Sequence, residues 1–424
     1  MNKYLALLII LLFVNCKNDK STKETSNAAN KISFGQIDSL YSETLGESRK
    51  IWVHIPAGAD DATFSTKKYP VLYLLDGPGH FYSVAGMIKQ LSTTNGNTIV
   101  PQMIIVAIPN TNRTRDLTPT HADSSPFGDD AAWLKDSGGG EAFTDFIEKE
   151  LIPYIDKKYP TSPYRTYVGH SFGGLMVINT LISRPELFSN YVAIDPSIWW
   201  DDQALLKKAK SQFEEIEFKN KSLFVGIANT LPDNADITSI ESDTSKTTIH
   251  IRSILDFVKT GDKYDDNGLL LGWKYYPDDD HGSVPLITEY DALRFLFPWY
   301  RFKEINAFFD TENKASGDDL VNAIETHYKT ISNNFGYEVI PDEEMVNSLG
   351  YGFMQSEKLD LSFAAFDLNI KNYPNSSNVY DSMGDYFLAT KDSLKALESF
   401  EKALQVGPND FSQEKIDMLK SKGE

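Results

Sequence analysis

The run Gly169-His170-Ser171-Phe172-Gly173-Gly174 sets a serine two residues from a glycine on either side. A strand-like segment over Arg165–Val168 precedes it, and a helical pattern over Gly174–Ile182 follows. A strand that turns sharply into a helix lifts the serine Oγ off the C-terminal edge of its sheet. Glycines flank such a corner because a Cβ there would clash. The chemistry is nucleophilic: the hydroxyl attacks a carbonyl carbon. The N–H of Phe172, at the helix start, then faces the developing oxyanion.

A serine nucleophile needs a base, and seven histidines compete for the role. His54 falls in an early strand-like run, His121 precedes the serine, and His327 lies near the C-terminal repeats. His170 adjoins the serine, so its side chain is expected to point away. His250 sits inside a helical pattern, Thr247–Val258. His281 lies in the loop YYPDDDHGSVP, after the last strand-like segment (Leu271–Tyr276) and before a helical one (Leu286–Leu296). His281 is therefore the expected base. The aspartates before it, Asp278 to Asp280, read as an exposed turn rather than a metal site. The acid that orients the base is expected after the strand ending near Asn229. Candidates are Asp233, Asp236, Glu241 and Asp243. Asp243 is preferred, because a helix starting near Thr247 would fix its backbone. Asp236 is second, and a helix-capping role for Asp243 stays open.

These residues need a scaffold. Near-continuous apolar runs occur at Val71–Leu75, Met103–Ile108, Tyr191–Ile194 and Leu223–Ala228. Such runs suit strands covered on both faces of a parallel sheet. Residues 33–58 alternate, which suggests an antiparallel hairpin. Between the runs lie helical patterns, as at Phe143, Phe146, Ile147 and Leu151, which share one face. The expected fold is α/β, a mainly parallel sheet with helices on both faces, over residues 33–304. A helical connector follows over 305–340. Over 341–424 the sequence repeats: Gly350 and Gly384, Phe353 and Phe387, Phe366 and Phe400, and Pro374 and Pro408 are each 34 residues apart. That is the tetratricopeptide period, so a small all-α domain is expected. Two such units bury little alone, which predicts docking on the first domain or on a protein partner.

The 424 residues carry a net charge of −19, which argues against a nucleic-acid partner. The single cysteine, Cys16, excludes an internal disulfide, a thiolate zinc cage and an iron–sulfur cluster within one chain. Cys16 follows Lys3 and the ten-residue apolar run Leu5–Val14, too short to span a bilayer. Residues 1–15 read as a signal peptide and Cys16 as a lipidation point. Residues 16–32 then form a polar tether. Lys17 after the cysteine favours the outer membrane.

The segments YPVLYLLDG (69–77), IPNTNRTRDLTP (108–119), GGGEAFTDFIEKELIPYI (138–155), GHSFGGL (169–175), FSNYVAIDPSIWW (188–200) and DHGSVPLITEYDAL (280–293) carry a resemblance. They resemble the α/β-hydrolase family called "putative esterase", over about residues 35–300, with the RTRDLTP and HGSVP versions similar to its siderophore-esterase branch. The resemblance implies an α/β-hydrolase fold. It also implies carboxylic-ester hydrolysis through an acyl-enzyme, with no metal or cofactor. The substrate would be a ferric-siderophore ester or an acyl or feruloyl ester of a polysaccharide. Acyl transfer, and a catalytically weak scaffold acting through the repeats, are the rival readings. The family takes a second oxyanion N–H from the loop after LLDG. Here that loop reads Asp76-Gly77-Pro78-Gly79, and Pro78 has no N–H. The expected donor is Gly77, with Gly79 or an altered hole as alternatives. Arg113 is expected to meet an anionic substrate, while Arg115 and Asp116 form a structural ion pair. Trp199 and Trp200 are expected to wall an aromatic pocket, with core packing as the alternative.

Overall fold

A computed structural model describes residues 32–422, apart from 60–62, 66, 129–130, 234 and 265. The leader, Cys16 and almost all of the tether lie outside the described residues. Eight strands form one sheet in the order β1-β2-β4-β3-β5-β6-β7-β8. They are β1 (Gln36–Ser42), β2 (Glu47–His54), β3 (Tyr69–Leu74), β4 (Ile104–Ala107), β5 (Thr161–His170), β6 (Asn190–Ile194), β7 (Lys221–Ala228) and β8 (Leu269–Tyr276). The hairpin β1–β2 is antiparallel, and β2 joins β4 antiparallel. Every pairing from β4 through β3, β5, β6 and β7 to β8 is parallel.

Burial explains the difference. Every residue of β3, β4 and β6 is buried, as strands covered on both faces require. The edge strand β1 alternates instead, burying Asp38 and Ser42 and exposing Ile37.

The first helices are α1 (Gly77–Ser92), α2 (Arg113–Asp116), α3 (Gly140–Phe146), α4 (Ile152–Lys158), α5 (Phe172–Ser183), α6 (Trp200–Glu215), α7 (Ile249–Lys263) and α8 (Val284–Leu296). Alternate residues of the strands point to opposite cores. Val71, Tyr73, Val106 and Tyr167 face α3 to α7, through Phe146, Leu175, Phe213 and Phe257. Leu72, Leu74, Ile105 and Val168 face α1 and α8, through Phe81, Ile88 and Leu293.

The remaining helices are α9 (Gly317–Phe335), α10 (Glu343–Gln355), α11 (Leu359–Asn372), α12 (Ser377–Ala389), α13 (Ser393–Val406) and α14 (Asp410–Lys422). In the pair α10 and α11, a Cβ on Gly350 would sit 2.4 Å from the Phe366 ring. In α12 and α13, 34 residues on, a Cβ on Gly384 would sit 2.3 Å from Phe400. The same small-to-aromatic contact thus closes both hairpins. This helical region docks on the sheet domain. Phe335 packs against Tyr164 and Trp299 at ring-centroid distances of 4.7 and 5.2 Å. Asp342 pairs with Lys67 at 2.7 Å, and Glu343 accepts the Ser65 N–H at 2.8 Å. No described helix is long and apolar enough to cross a membrane.

Candidate active site

β5 ends at His170, and α5 begins at Phe172. Ser171 between them has φ 59° and ψ −114°. A non-glycine residue held in the left-handed region costs about 1–3 kcal/mol, a strain that surrounding structure must hold in place. The glycines make the corner possible. A Cβ on Gly169 would lie 2.4 Å from the backbone of Gly173. The Ser171 N–H donates to the Ile194 carbonyl at 2.9 Å, and its carbonyl accepts from Leu175 and Ser197. Its Oγ lies 3.2 Å from Ser197 Oγ. Phe172 is the first residue of α5, where backbone N–H groups have no partner within the helix.

His281 sits on the loop between β8 and α8. Its aspartates hold that loop: Asp280 accepts the N–H groups of Gly282 and Ser283 at 2.8 and 2.9 Å. Asp279 accepts the Ser283 hydroxyl, and its carbonyl accepts the Asn229 N–H. The imidazole of His281 lies 4.5 Å, centroid to centroid, from that of His170. His170 therefore does not point away from the site; its ring adjoins that of His281. Burial, with the charges of His281 and His80 nearby, pushes His170 down to about 4, so it is neutral at pH 7.

The carboxylate against His281 is Asp195. Its Oδ2 lies 2.6 Å from His281 Nδ1 and 2.8 Å from His250 Nε2, and its Oδ1 accepts the Ala228 N–H at 3.0 Å. A carboxylate only accepts, so both ring nitrogens carry hydrogens. In neutral His281 that leaves Nε2 with the lone pair. Asp195 is fully buried. Burial works to raise its pKa, but hydrogen bonds from His250, His281 and Ala228 outweigh it and hold the group ionised, well below the usual carboxylate range.

This corrects the assignment of Asp243. Its carboxylate accepts the N–H and hydroxyl of its near neighbour Ser245, at 2.7 and 3.0 Å. Asp236 caps a short turn through the Thr238 N–H at 2.8 Å. Both are local caps on the segment after β7, whereas the carboxylate that meets His281 lies one strand earlier, at the end of β6. The sequence carried a signal for it. Asp195 directly follows a buried apolar strand, as Ser171 follows β5, and ligand-facing residues of open parallel sheets gather at such ends. Four residues, Asp195 to Ile198, connect β6 to Trp199, and within them Asp195 meets His281 while Ser197 meets Ser171. His250, read as a helical residue, does lie on α7, but its ring turns to Asp195.

The expected oxyanion donors fare differently. The Gly77 N–H is committed to the Ile108 carbonyl at 3.1 Å, and the Gly79 N–H to the Asp76 carbonyl at 2.9 Å. A Cβ on Gly77 would lie 2.9 Å from Ile108 N, so this glycine serves close backbone packing. Neither the Gly77 nor the Gly79 N–H is thus free to donate. Asp76, at φ 52°, takes a two-point bond from Arg113 at 2.7 and 2.9 Å. Arg113 also donates to the His170 carbonyl at 3.2 Å and lies 5.4 Å from the Phe172 ring centroid. Its first task is to pin the strand end before the corner, although about a third of its side chain stays exposed. Arg115 pairs with Asp116 at 2.7 Å. Trp199 is buried in the core, whereas Trp200, also buried, donates its Nε1 to the Thr120 carbonyl at 3.0 Å and lines a cavity of about 360 Å³ with Thr120, Asn179 and Lys208. Phe127 and Trp133, which pack on Trp199 and Phe172, are exposed. Asp195, His250 and His281 offer the metal-ligand geometry found among the described residues, with ligand atoms within 4.8 Å of one another. Their mutual hydrogen bonds satisfy the same atoms.

Comparison with known proteins agrees with this architecture. The sequence model of the family described as "Putative esterase" matches residues 42–232. An IroE-like serine hydrolase from Shewanella oneidensis is 32% identical, with a TM-score of 0.65 over 79% of this chain and 98% of its own. The ferri-bacillibactin esterase BesA of Bacillus subtilis is 35% identical over 36% of this chain and 55% of its own length. A siderophore triacetylfusarinine C esterase of Aspergillus fumigatus is 30% identical over 40% of this chain and 58% of its own. The chain thus spans about half the length of these curated relatives. An uncharacterised protein from Capnocytophaga ochracea, 16% identical, shares the fold over 91% of this chain and 100% of its own, with a TM-score of 0.55. On the family-model match, which spans the serine corner, and on the 32% identical hydrolase covered over 98% of its length, the chain belongs to the "Putative esterase" family.

Proposed function

We propose that the protein is a serine carboxylesterase acting on ester bonds of a ferric siderophore. The observation that carries the reading is the 2.6 Å bond from His281 Nδ1 to the buried, ionised Asp195, beside a serine on a strained strand–helix corner. In this mechanism Ser171 Oγ attacks the ester carbonyl while His281 Nε2 takes its proton. The carbonyl π electrons move to oxygen, and the Phe172 N–H stabilises that oxyanion. On collapse the C–O bond to the alcohol breaks, and His281 returns its proton to the departing alkoxide. Water then attacks the acyl-enzyme, giving its proton to His281, and Ser171 leaves reprotonated. Asp195 fixes the tautomer that leaves Nε2 basic and stabilises the imidazolium that forms. The names of the relatives support a siderophore ester as the substrate.

The reading extends to placement. Cys16 is acylated after removal of residues 1–15 and tethers the enzyme to the outer membrane, and the 34-residue units belong to the tetratricopeptide type. Unmodified Cys16 in mass spectra of the mature protein would overturn the anchor.

The test of activity has two arms. A fluorophosphonate probe labels Ser171 in the wild type, and Ser171→Ala loses about 10⁴–10⁶ in kcat on the same substrate. Purified enzyme is then given a ferric tris-catecholate trilactone, a ferric hydroxamate ester and a feruloylated sugar. Hydrolysis confined to the sugar would sink the siderophore assignment. Failure of the probe to label Ser171 would sink the esterase.

A further inference from the structure

His250 does not touch the serine, yet it shares one oxygen of the acid with His281. We infer that His250 is a positioning residue, a second imidazole that fixes Asp195 and limits how strongly the acid charge acts on His281. The inference rests on the esterase reading above.

Three donors meet the Asp195 carboxylate. Ala228 N–H takes Oδ1 at 3.0 Å, while His250 Nε2 and His281 Nδ1 both take Oδ2, at 2.8 and 2.6 Å. The two imidazoles meet nearly at right angles, 86°, with centroids 5.3 Å apart. That geometry lets two donors reach the two lone pairs of one oxygen without stacking. The supports of the two rings differ. His250 lies in the first turn of α7, which Ile251, Ile254, Phe257 and Val258 anchor in the core. Its side chain is 12% exposed, against 43% for His281 on its loop. The buried, helix-mounted ring can therefore fix the carboxylate plane for the more accessible one. Asp195 needs such fixing, because its own backbone sits at φ 40°.

The electrostatic consequence has a definite sign. An N–H on Oδ2 takes up part of its negative charge. Without His250, that charge would act wholly on His281 and favour the imidazolium, which cannot take the serine proton. The protonated, inactive form would then persist to higher pH. Other charged or titratable groups around this cluster are His170 on β5, His80 on α1, Asp76 and Arg113 across the site, Arg252 on α7, and Asp279 and Asp280 on the His281 loop. All of these residues are retained in a His250 variant.

Two variants of the full chain separate positioning from simple packing. His250→Leu fills the space and removes the donor. It should lower kcat about tenfold with KM within about twofold, and raise the acidic limb of kcat/KM by about 0.5–1 pH unit. His250→Gln places an amide N–H near the position of Nε2. It should restore kcat to within about threefold and return the limb toward wild type. Wild-type kcat and pH profile in His250→Leu would overturn the inference. So would a loss that tracks a fall in Tm and that Gln fails to rescue. Failure of the underlying reading looks different: Ser171→Ala would then retain hydrolysis.

Discussion

Strained backbone occurs both at the C-terminal edge of the sheet and in the helical region, but on different residues. At the sheet edge, Asp76, Ser171 and Asp195 have φ of 52°, 59° and 40°. Each follows a strand end, each side chain is bound to specific polar partners, and no two sit in equivalent surroundings. In the helical region, Glu357 and Lys391 have φ of 58° and 63°. Both are exposed, both lie in the turn between the helices of a hairpin, and they are 34 residues apart. The strain there belongs to a repeating turn and can be relieved without touching any chemistry. At the sheet edge two of the three strained residues, Ser171 and Asp195, carry groups of the proposed mechanism.

The largest effect expected from this contrast separates the two aspartates. Asp195→Asn should keep the fold but present an amide that can donate to His281 Nδ1, stabilising the wrong tautomer. A loss in kcat of about 10²–10⁴ is expected, with KM little changed. Asp243→Asn removes one end of a surface cap and should leave kcat within about twofold. Equal losses in both variants would contradict the placement of the acid at the end of β6.

A pH experiment tests whether the buried polar cluster limits stability. His170 is held near 4 in the folded chain, chiefly by burial, against an ordinary value of 6.5. A folded value below the unfolded one means that the unfolded chain binds more protons between them. Stability is therefore full above about 6.5 and falls as pH drops toward 4, by about 3 kcal/mol from this group. Urea unfolding at pH 7 and pH 4.5 should show that His170→Gln loses less stability on acidification than the wild type, by about 2 kcal/mol. An unchanged difference would show that His170 is protonated in the folded chain.

The two regions also differ in what the chain alone reveals. The strand–turn–helix at Ser171 is legible because six adjacent residues specify it. The 34-residue period is legible because a helix hairpin repeats its small-to-aromatic contact at constant spacing, as Gly350 with Phe366 and Gly384 with Phe400 show. Asp195 and His250 are not legible in that way. Their partnership needs β6 and β7 side by side, with α7 folded back over their ends, and residues 55 positions apart then meet at 2.8 Å. Asp243 and Asp236 sit in the loop that a one-dimensional order of serine, acid and histidine favours. Local hydrogen bonds to Ser245 and Thr238 occupy them instead. The oxyanion loop shows the same limit: Pro78 can be read as lacking an N–H, but that Gly77 spends its own on Ile108 depends on β4 lying beside β3.

The smallest effects test the helical region with opposite signs. Gly350→Ala would place a methyl 2.4 Å from a fully buried Phe366 ring. Overpacking of this kind costs about 1–3 kcal/mol, and the better helix propensity of alanine returns up to about 1. A net loss of about 1–2 kcal/mol is expected, with kcat unchanged. Lys391→Gly should act the other way. The turn holds Lys391 in the left-handed region, where glycine carries no Cβ penalty, and a left-handed residue in an L-chain costs about 1–2 kcal/mol. Glycine also enlarges the conformational freedom of the unfolded chain, which takes back about 0.4–1 kcal/mol. A gain of about 0.5 kcal/mol should remain, and Glu357→Gly should match it, because the two turns are repeats of each other. The check is the denaturation midpoint of each variant beside its kcat. If either substitution altered kcat while Tm held, the helical region would be coupled to the chemistry at Ser171 and the separation between the two regions would fail.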